Sequence, residues 1–445
     1  MDLGNTMDVE RRTIAKLKPR ILPLCIAAAI ICFMDRVNIA FAAPTMMKDL
    51  GFTATVYGFG AGVLFLTYIL CEVPSNVMLS KVGARIWIAR IMISWGIISA
   101  GMAFIVGPYS YFALRLLLGA AEAGLFPGIL FYLSLWFPAF YLGRATSLFY
   151  LALPLANVVG APMSGPILNL DGLLGLHGWQ WLFLVEGVPP IILGAIFLAY
   201  LPDTPEKASW LAEDEREWLI RRLEVDRKAT DIGHQSVWQA LSNWKVIGLG
   251  IVVIAVNCTN YGLGFFLPLI LKGFGLGNIG TGLVAAIPFV MGSLAAYICG
   301  KTSDYLKERK FHVAGSMAMA GIFLGLSVGF TSPVMQMVMI SIAGFGMYAY
   351  LGPYWAMAIS YIRGAGAAGA ATSLALINSI GNLGGFASPY AIGYIKDVTN
   401  SFAGGIMAIA AVSMTGAVLT VLLGFVLDRS VRLVAPGAET RTARG

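Results

Sequence analysis

The sequence predicts an all-α membrane protein: twelve transmembrane helices in two six-helix halves, with both termini in the cytoplasm. Three observations carry that prediction. The 445 residues are 58% hydrophobic and only 12% charged, with a mean hydropathy of +0.78. A soluble domain carries roughly a quarter charged residues, and a disordered chain is poor in apolar ones. Apolar stretches long enough to cross a bilayer, about 20 residues each, recur along the whole chain. One long polar interruption, residues 202–244, divides them six and six.

The spans fall at 20–42, 55–79, 85–106, 109–135, 144–168 and 179–201 in the first half, residues 1–201. In the second half, residues 245–430, they fall at 245–271, 281–300, 312–331, 334–361, 369–395 and 402–427. The first span follows Arg11, Arg12, Lys16, Lys18 and Arg20, and is too long for a signal-peptide core, so it is expected to remain uncleaved. The interruption opens with Pro202 and is dense in charge. From Asp203 to Arg227 its apolar Trp210, Leu211, Trp218, Leu219 and Leu223 recur at helical intervals, which predicts an amphipathic helix along the membrane face. Residues 431–445 form a short tail.

Basic residues set the orientation. Of the 30 lysines and arginines, Arg36 and Arg115 lie within spans, and the loops assigned to the outside hold Lys48, Lys272 and Lys396 alone. All the others fall before the first span, in the linker, in the tail or in loops on the same side, which makes that side cytoplasmic. With this placement the net charge of +7 calls for no nucleic-acid partner. Cys25, Cys32, Cys71, Cys258 and Cys299 all sit in apolar stretches, with no CxxC pair and no histidine cluster, so no disulfide, metal or other cofactor is expected.

The halves echo each other. NVMLSKVGAR (Asn76 to Arg85) follows the second span and GKTSDYLKER (Gly300 to Arg309) the eighth, an offset of 224 residues. Repeats of this kind point to a transporter with its site between the halves near the membrane midplane.

The second of these loops resembles the Gly-x-x-x-Asp loop of the major facilitator superfamily in Gly300, Asp304, Lys307 and Arg309. The first copy keeps Gly83 and Arg85 but has Asn76 and Ser80 where Gly and Asp are usual. FMDRVNIAFA (Phe33 to Ala42), RLLLGAAEAG (Arg115 to Gly124), the PSN after Glu72, GPYWA (Gly352 to Ala356) and LINSIGNLGGFASPYAIGYIKD (Leu376 to Asp397) resemble the anion:cation symporter family within that superfamily. The resemblance runs from about residue 18 to 430. It implies uptake of an organic anion with protons, a bacterial inner-membrane location, a monomer as the functional unit, a gating role for Gly83, Arg85, Gly300, Asp304 and Arg309, a proton-carrying role for Glu122 and a site-lining role for Tyr68.

Ionisable residues within the bilayer are costly and mark function. Asp35, Arg36, Glu72, Arg115, Glu122 and Glu186 all lie in the first half. Arginine keeps its charge in a protein and its planar fork matches a carboxylate, so Arg36 and Arg115 point to an anionic substrate unless structural salt bridges hold them. A buried carboxyl takes a proton more readily, and an arginine beside it opposes that. An anion that engages the arginine therefore promotes protonation, a route to coupling with Glu122 first and Asp35 second as carriers. Arg115 and Glu122 are two turns apart on nearly one face, which puts both on one cavity wall. Glu72 and Glu186 read as partners for helix ends. In the second half Asn257, Asn260, Tyr261, Tyr354, Trp355, Asn378 and Asn382 supply amide and aromatic contacts. Relatives that carry sugar acids have a glutamine in the fifth span, where Asn157 is this chain's nearest amide. That departure disfavours a polyhydroxylated acid and leaves an aromatic or short dicarboxylic one. A facilitator or exporter of a neutral solute and a solute sensor remain as alternatives. No nucleophile and base pairing supports an enzyme.

Overall fold

The computed structural model describes residues 3–230, 242–362 and 366–434. Among these there is no strand, and sixteen α-helices account for nearly all of the chain. The first half comprises α1 (Leu3–Leu50), α2 (Ala54–Val82), α3 (Ala84–Gly101), α4 (Pro108–Glu122), α5 (Leu125–Trp136), α6 (Ala139–Tyr150), α7 (Ala152–Leu168) and α8 (Gly178–Tyr200). A linker helix, α9 (Glu213–Thr230), leads to the second half: α10 (Trp244–Lys272), α11 (Asn278–Leu306), α12 (Lys310–Val328), α13 (Pro333–Ala349), α14 (Leu351–Ile362), α15 (Gly366–Thr399) and α16 (Ala403–Val434). Eleven segments are long and apolar enough to span a membrane, and α15 packs between α2 and α10 as the twelfth. Linker residues 231–241, the loop residue Arg363 and the tail beyond Val434 lie outside the described residues.

Three spans expected to be continuous are interrupted. The fourth breaks between α4 and α5, where Ala123 turns to φ −57°, ψ 130° and Gly124 takes φ +90°, a conformation that only glycine adopts cheaply. The fifth and tenth lose only a helix hydrogen bond, where Pro154 and Pro353 have no amide to donate, and Leu151 and Tyr350 keep helical angles of φ −63°, ψ −18° and φ −71°, ψ −23°. Periodicity cannot reveal the break at Ala123–Gly124, because the sequence stays apolar through it, whereas Pro154 and Pro353 mark the other two in the sequence.

The linker helix also departs from expectation. It begins at Glu213, later than Asp203, and its apolar side buries Leu219 and Leu223 against the protein. Just before it, Trp210 stacks on Trp136 at 5.7 Å with Arg20 above its ring. Arg12 meets Asp214 at 2.9 Å and Lys16 meets the buried Glu215 at 2.8 Å. The helix is thus docked on α1 and α5 instead of lying free on lipid.

On the face away from the linker the two halves meet tightly. There α2 packs on α15 and α7 on α11, so closely that a side chain at Gly58 would strike the Pro389 carbonyl and one at Gly393 the Ala54 carbonyl. Asp397 at the end of α15 accepts the Ala54 and Thr55 backbone amides of α2 at 3.0 and 2.7 Å, capping a helix of the opposite half. On the linker face no comparable packing joins α5 and α6 to α14.

Candidate functional site

Between the halves lies a narrow cleft walled by Phe33 and Val37 of α1, Leu153 and Asn157 of α7, Asn257, Asn260, Tyr261 and Phe265 of α10, Phe289 of α11, and Tyr348, Tyr350 and Leu351 in the tenth span. Four residues expected from sequence, Asn157, Asn257, Asn260 and Tyr261, line it together. The buried Asn260 Oδ1 has no hydrogen-bond partner among the described residues. Such an acceptor in an apolar wall costs free energy until a ligand or water meets it.

Arg36 stands beside this cleft, one turn from Phe33. Its guanidinium lies 5.0 Å from the Tyr68 ring centre, 5.2 Å from Phe33 and 5.8 Å from Phe65, whose ring packs at 4.5 Å on the cleft-lining Tyr261. Its charge is compensated within the protein. Nη2 and Nε donate to Glu122 Oε2 at 2.7 and 3.2 Å, and both side chains are almost wholly buried, at 4% and 0% exposure. One carboxylate oxygen takes both bonds, and Glu122 Oε1 is left buried and unpartnered. The chain break after Glu122 sets the carboxylate at the C-terminal end of α4. The negative end of the helix dipole there makes the Arg36 charge more necessary.

Arg115 does not share this wall. Its guanidinium is fully buried and donates to the Gly60 and Ala61 carbonyls of α2 at 3.1 and 2.8 Å, so the expectation that Arg115 and Glu122 flank one cavity is corrected. The helical spacing was right, but the helix faces α2 at Arg115 and α1 at Glu122. Tyr354 is likewise in a packing role: its hydroxyl donates to the Leu249 carbonyl at 2.8 Å in the second half's own core, and Trp355 packs edge-on against it. Asn382 is buried and Asn378 half-buried on α15, away from the cleft lining. Glu72 reaches across to the Ser379 hydroxyl on α15 at 2.7 Å, a bond between halves in place of the helix-end partnership expected.

Asp35 points away from Arg36, as adjacent helical positions must. It accepts from the Asn38 amide at 3.0 Å and from the Ser99 hydroxyl of α3. Asn38, one turn along α1, was legible as a same-face neighbour; Ser99 left no signal in the sequence.

The two echoing loops behave differently in the two halves of this structure. Gly83, at φ +100°, joins α2 to α3, and the Arg85 amide donates to Asp203 Oδ1 at 3.1 Å. The linker thereby supplies at this loop a carboxylate that the loop itself lacks at Ser80. In the second half Asp304 is exposed, Gly300 lies against Gly352, and Arg309 donates to the Ala356 carbonyl at 2.7 Å.

Two six-helix halves around a central cleft define a secondary transporter, and comparison with known proteins agrees. The chain belongs to the Major Facilitator Superfamily, whose profile matches residues 24–389. It is 45% identical over 96% of its length to a protein of Agrobacterium vitis named "Putative tartrate transporter", covering 98% of that protein. It is 36% identical over 95% of its length to the quinolone resistance transporter of Acinetobacter baumannii, covering 97% of it. Among solved structures, a bacterial homologue of the human lysosomal transporter Spinster superposes with a TM-score of 0.75 at 16% identity, covering 93% of this chain and 97% of that one. The protein is a multi-pass membrane transporter and not an enzyme.

Proposed function

We propose that the protein imports an organic carboxylate together with protons, by alternating access, with its termini in the cytoplasm. The observation that carries this reading is the buried Arg36–Glu122 pair at the edge of the cleft. A substrate carboxylate entering the cleft competes with Glu122 for the guanidinium. Once displaced, Glu122 is a buried carboxylate at a helix C-terminus without its cation, and it takes a proton. The anion then crosses with that proton, and loss of both restores the pair. A neutral solute offers Arg36 nothing in exchange for Glu122.

The lining supports that reading: Asn157, Asn257 and Asn260 offer amides to hydroxyl or carboxylate groups, and Phe33, Tyr261, Phe265 and Phe289 offer rings to an apolar face. The similarity to a protein named for tartrate supports a short hydroxy-dicarboxylate. The similarity to one named for quinolone resistance supports a second reading, export of a larger aromatic solute through the same cleft. The test reconstitutes the protein in liposomes holding a pH dye and adds hydroxy-dicarboxylates, aromatic acids and sugar acids in turn. Proton entry driven by one acid class supports symport and identifies the class. Movement of labelled neutral solute with no proton movement for any acid would refute it.

A further inference from the structure

A second set of buried acidic groups lies in the first half, apart from the Arg36–Glu122 pair. Asp35 and Asn38 on α1, Ser99 on α3, Ser164 on α7 and Glu186 on α8 form a polar island where these four helices pack together. The Asn38 amide donates to Asp35 Oδ1 at 3.0 Å and also faces Glu186, so it stands between the two carboxyls. Ser164 donates to Glu186 Oε1 at 3.4 Å. Asp35 and Glu186 are 1% and 6% exposed, and Asp35 Oδ2 and Glu186 Oε2 are both buried with no hydrogen-bond partner among the described residues.

One cation reaches the island, and only at Asp35. Arg36 is bound to Glu122, whereas Arg115 of α4, bonded to the Gly60 and Ala61 carbonyls with its Nη1 left unpartnered, acts on Asp35 without touching it. Neither α7 nor α8 contains a lysine or arginine, and α3 carries Arg85 and Arg90 only, nearer its other end. Two carboxylates in an apolar site with one cation near only the first of them cannot both be ionised, since each removes the other's remaining stabilisation. One proton shared over the pair resolves this, and the unpartnered oxygens are where it would reside.

We infer that Glu186 is a proton-carrying residue, sharing one exchangeable proton with Asp35 while the Asn38 amide stands between the two carboxyls, so that each transport cycle moves one proton on this island and one on Glu122. The inference rests on the symport reading and adds a residue and a stoichiometry to it. Replacing Glu186 by glutamine leaves Asp35 with an added amide donor and no competing charge. Asp35 then stays ionised and the island's proton is lost from the cycle.

The test measures accumulation of radiolabelled tartrate, or the acid selected by the liposome panel, as a function of an imposed pH difference with the membrane potential held at zero. With two protons per anion the ratio rises about 100-fold per pH unit, and with one about 10-fold, since one pH unit is tenfold per proton. Wild type is expected to follow the first slope, and Glu186→Gln, Asp35→Asn and the double variant the second, with exchange at equal pH retained. An unchanged slope in Glu186→Gln overturns the inference alone, while a wild-type slope of zero overturns symport with it. Accumulation that depends on sodium at fixed pH also overturns it, because the oxygens would then hold a metal cation. Should Glu186→Gln fail to fold, infrared difference spectra of wild type carrying 13C-labelled glutamate carboxyls decide: two glutamates changing protonation when tartrate binds supports the shared site, and Glu122 alone overturns it.

Discussion

Arg36 and Arg115 carry the same permanent charge in the same half, and their surroundings assign them different work. Arg36 is held by a carboxylate that can be neutralised, so its partner is replaceable; Arg115 is held by backbone carbonyls, which are not. Arg36→Ala is therefore expected to abolish the rise in melting temperature produced by a bound acid. An undiminished rise would contradict its role as the anion's ligand. Arg115→Ala is expected to cost about 3 kcal/mol of stability, the scale of two charge-assisted hydrogen bonds. A lowered melting temperature with ligand affinity preserved in the folded protein fits that role, and the reverse pattern contradicts it. The sequence names such residues because ionisable side chains stand out in apolar runs. It cannot name their partners. The pairing of Arg36 with Glu122 spans 86 residues and depends on where α4 breaks.

At the scale of elements, closure of the face away from the linker depends on α2 and α15. Gly58 and Gly393 permit the approach, and Asp397 caps α2 from the other half. Gly58→Val is expected to hold this face apart, and Asp397→Asn to weaken it by removing the charge at the helix start. Both can be followed by labelling a cysteine placed at the buried Ala161, whose carbonyl faces Gly282 across the second seam. Severalfold faster labelling in either variant fits a latch, and unchanged labelling in both argues against one. The helices themselves were readable from length and hydropathy, and their ends agree with the structure at most spans. The break at Ala123–Gly124 was not, because a break inside an apolar run changes backbone angles without changing composition. Nor was the docking of α9, whose amphipathic pattern fits a protein surface as well as a lipid one.

Across the whole molecule the halves divide labour: the first holds Glu122, Arg36, Asp35 and Glu186, and the second lines the cleft with amides and aromatics. That asymmetry was legible from the distribution of charge alone, and so were four of the lining residues. Tyr354 and Arg115 bond to carbonyls of neighbouring helices and Trp355 packs on Tyr354, because a polar atom in a span serves a neighbouring helix as readily as a ligand. The central claim is that Glu122 leaves Arg36 and takes a proton when an anion arrives. Glu122→Gln separates binding from coupling, since glutamine cannot carry the proton and competes weakly for the guanidinium. In liposomes this variant should bind the acid at least as tightly as wild type and exchange labelled for unlabelled acid at equal pH, yet fall well short of the accumulation wild type reaches across a pH difference. Concentrative uptake at the wild-type level by Glu122→Gln would contradict the account.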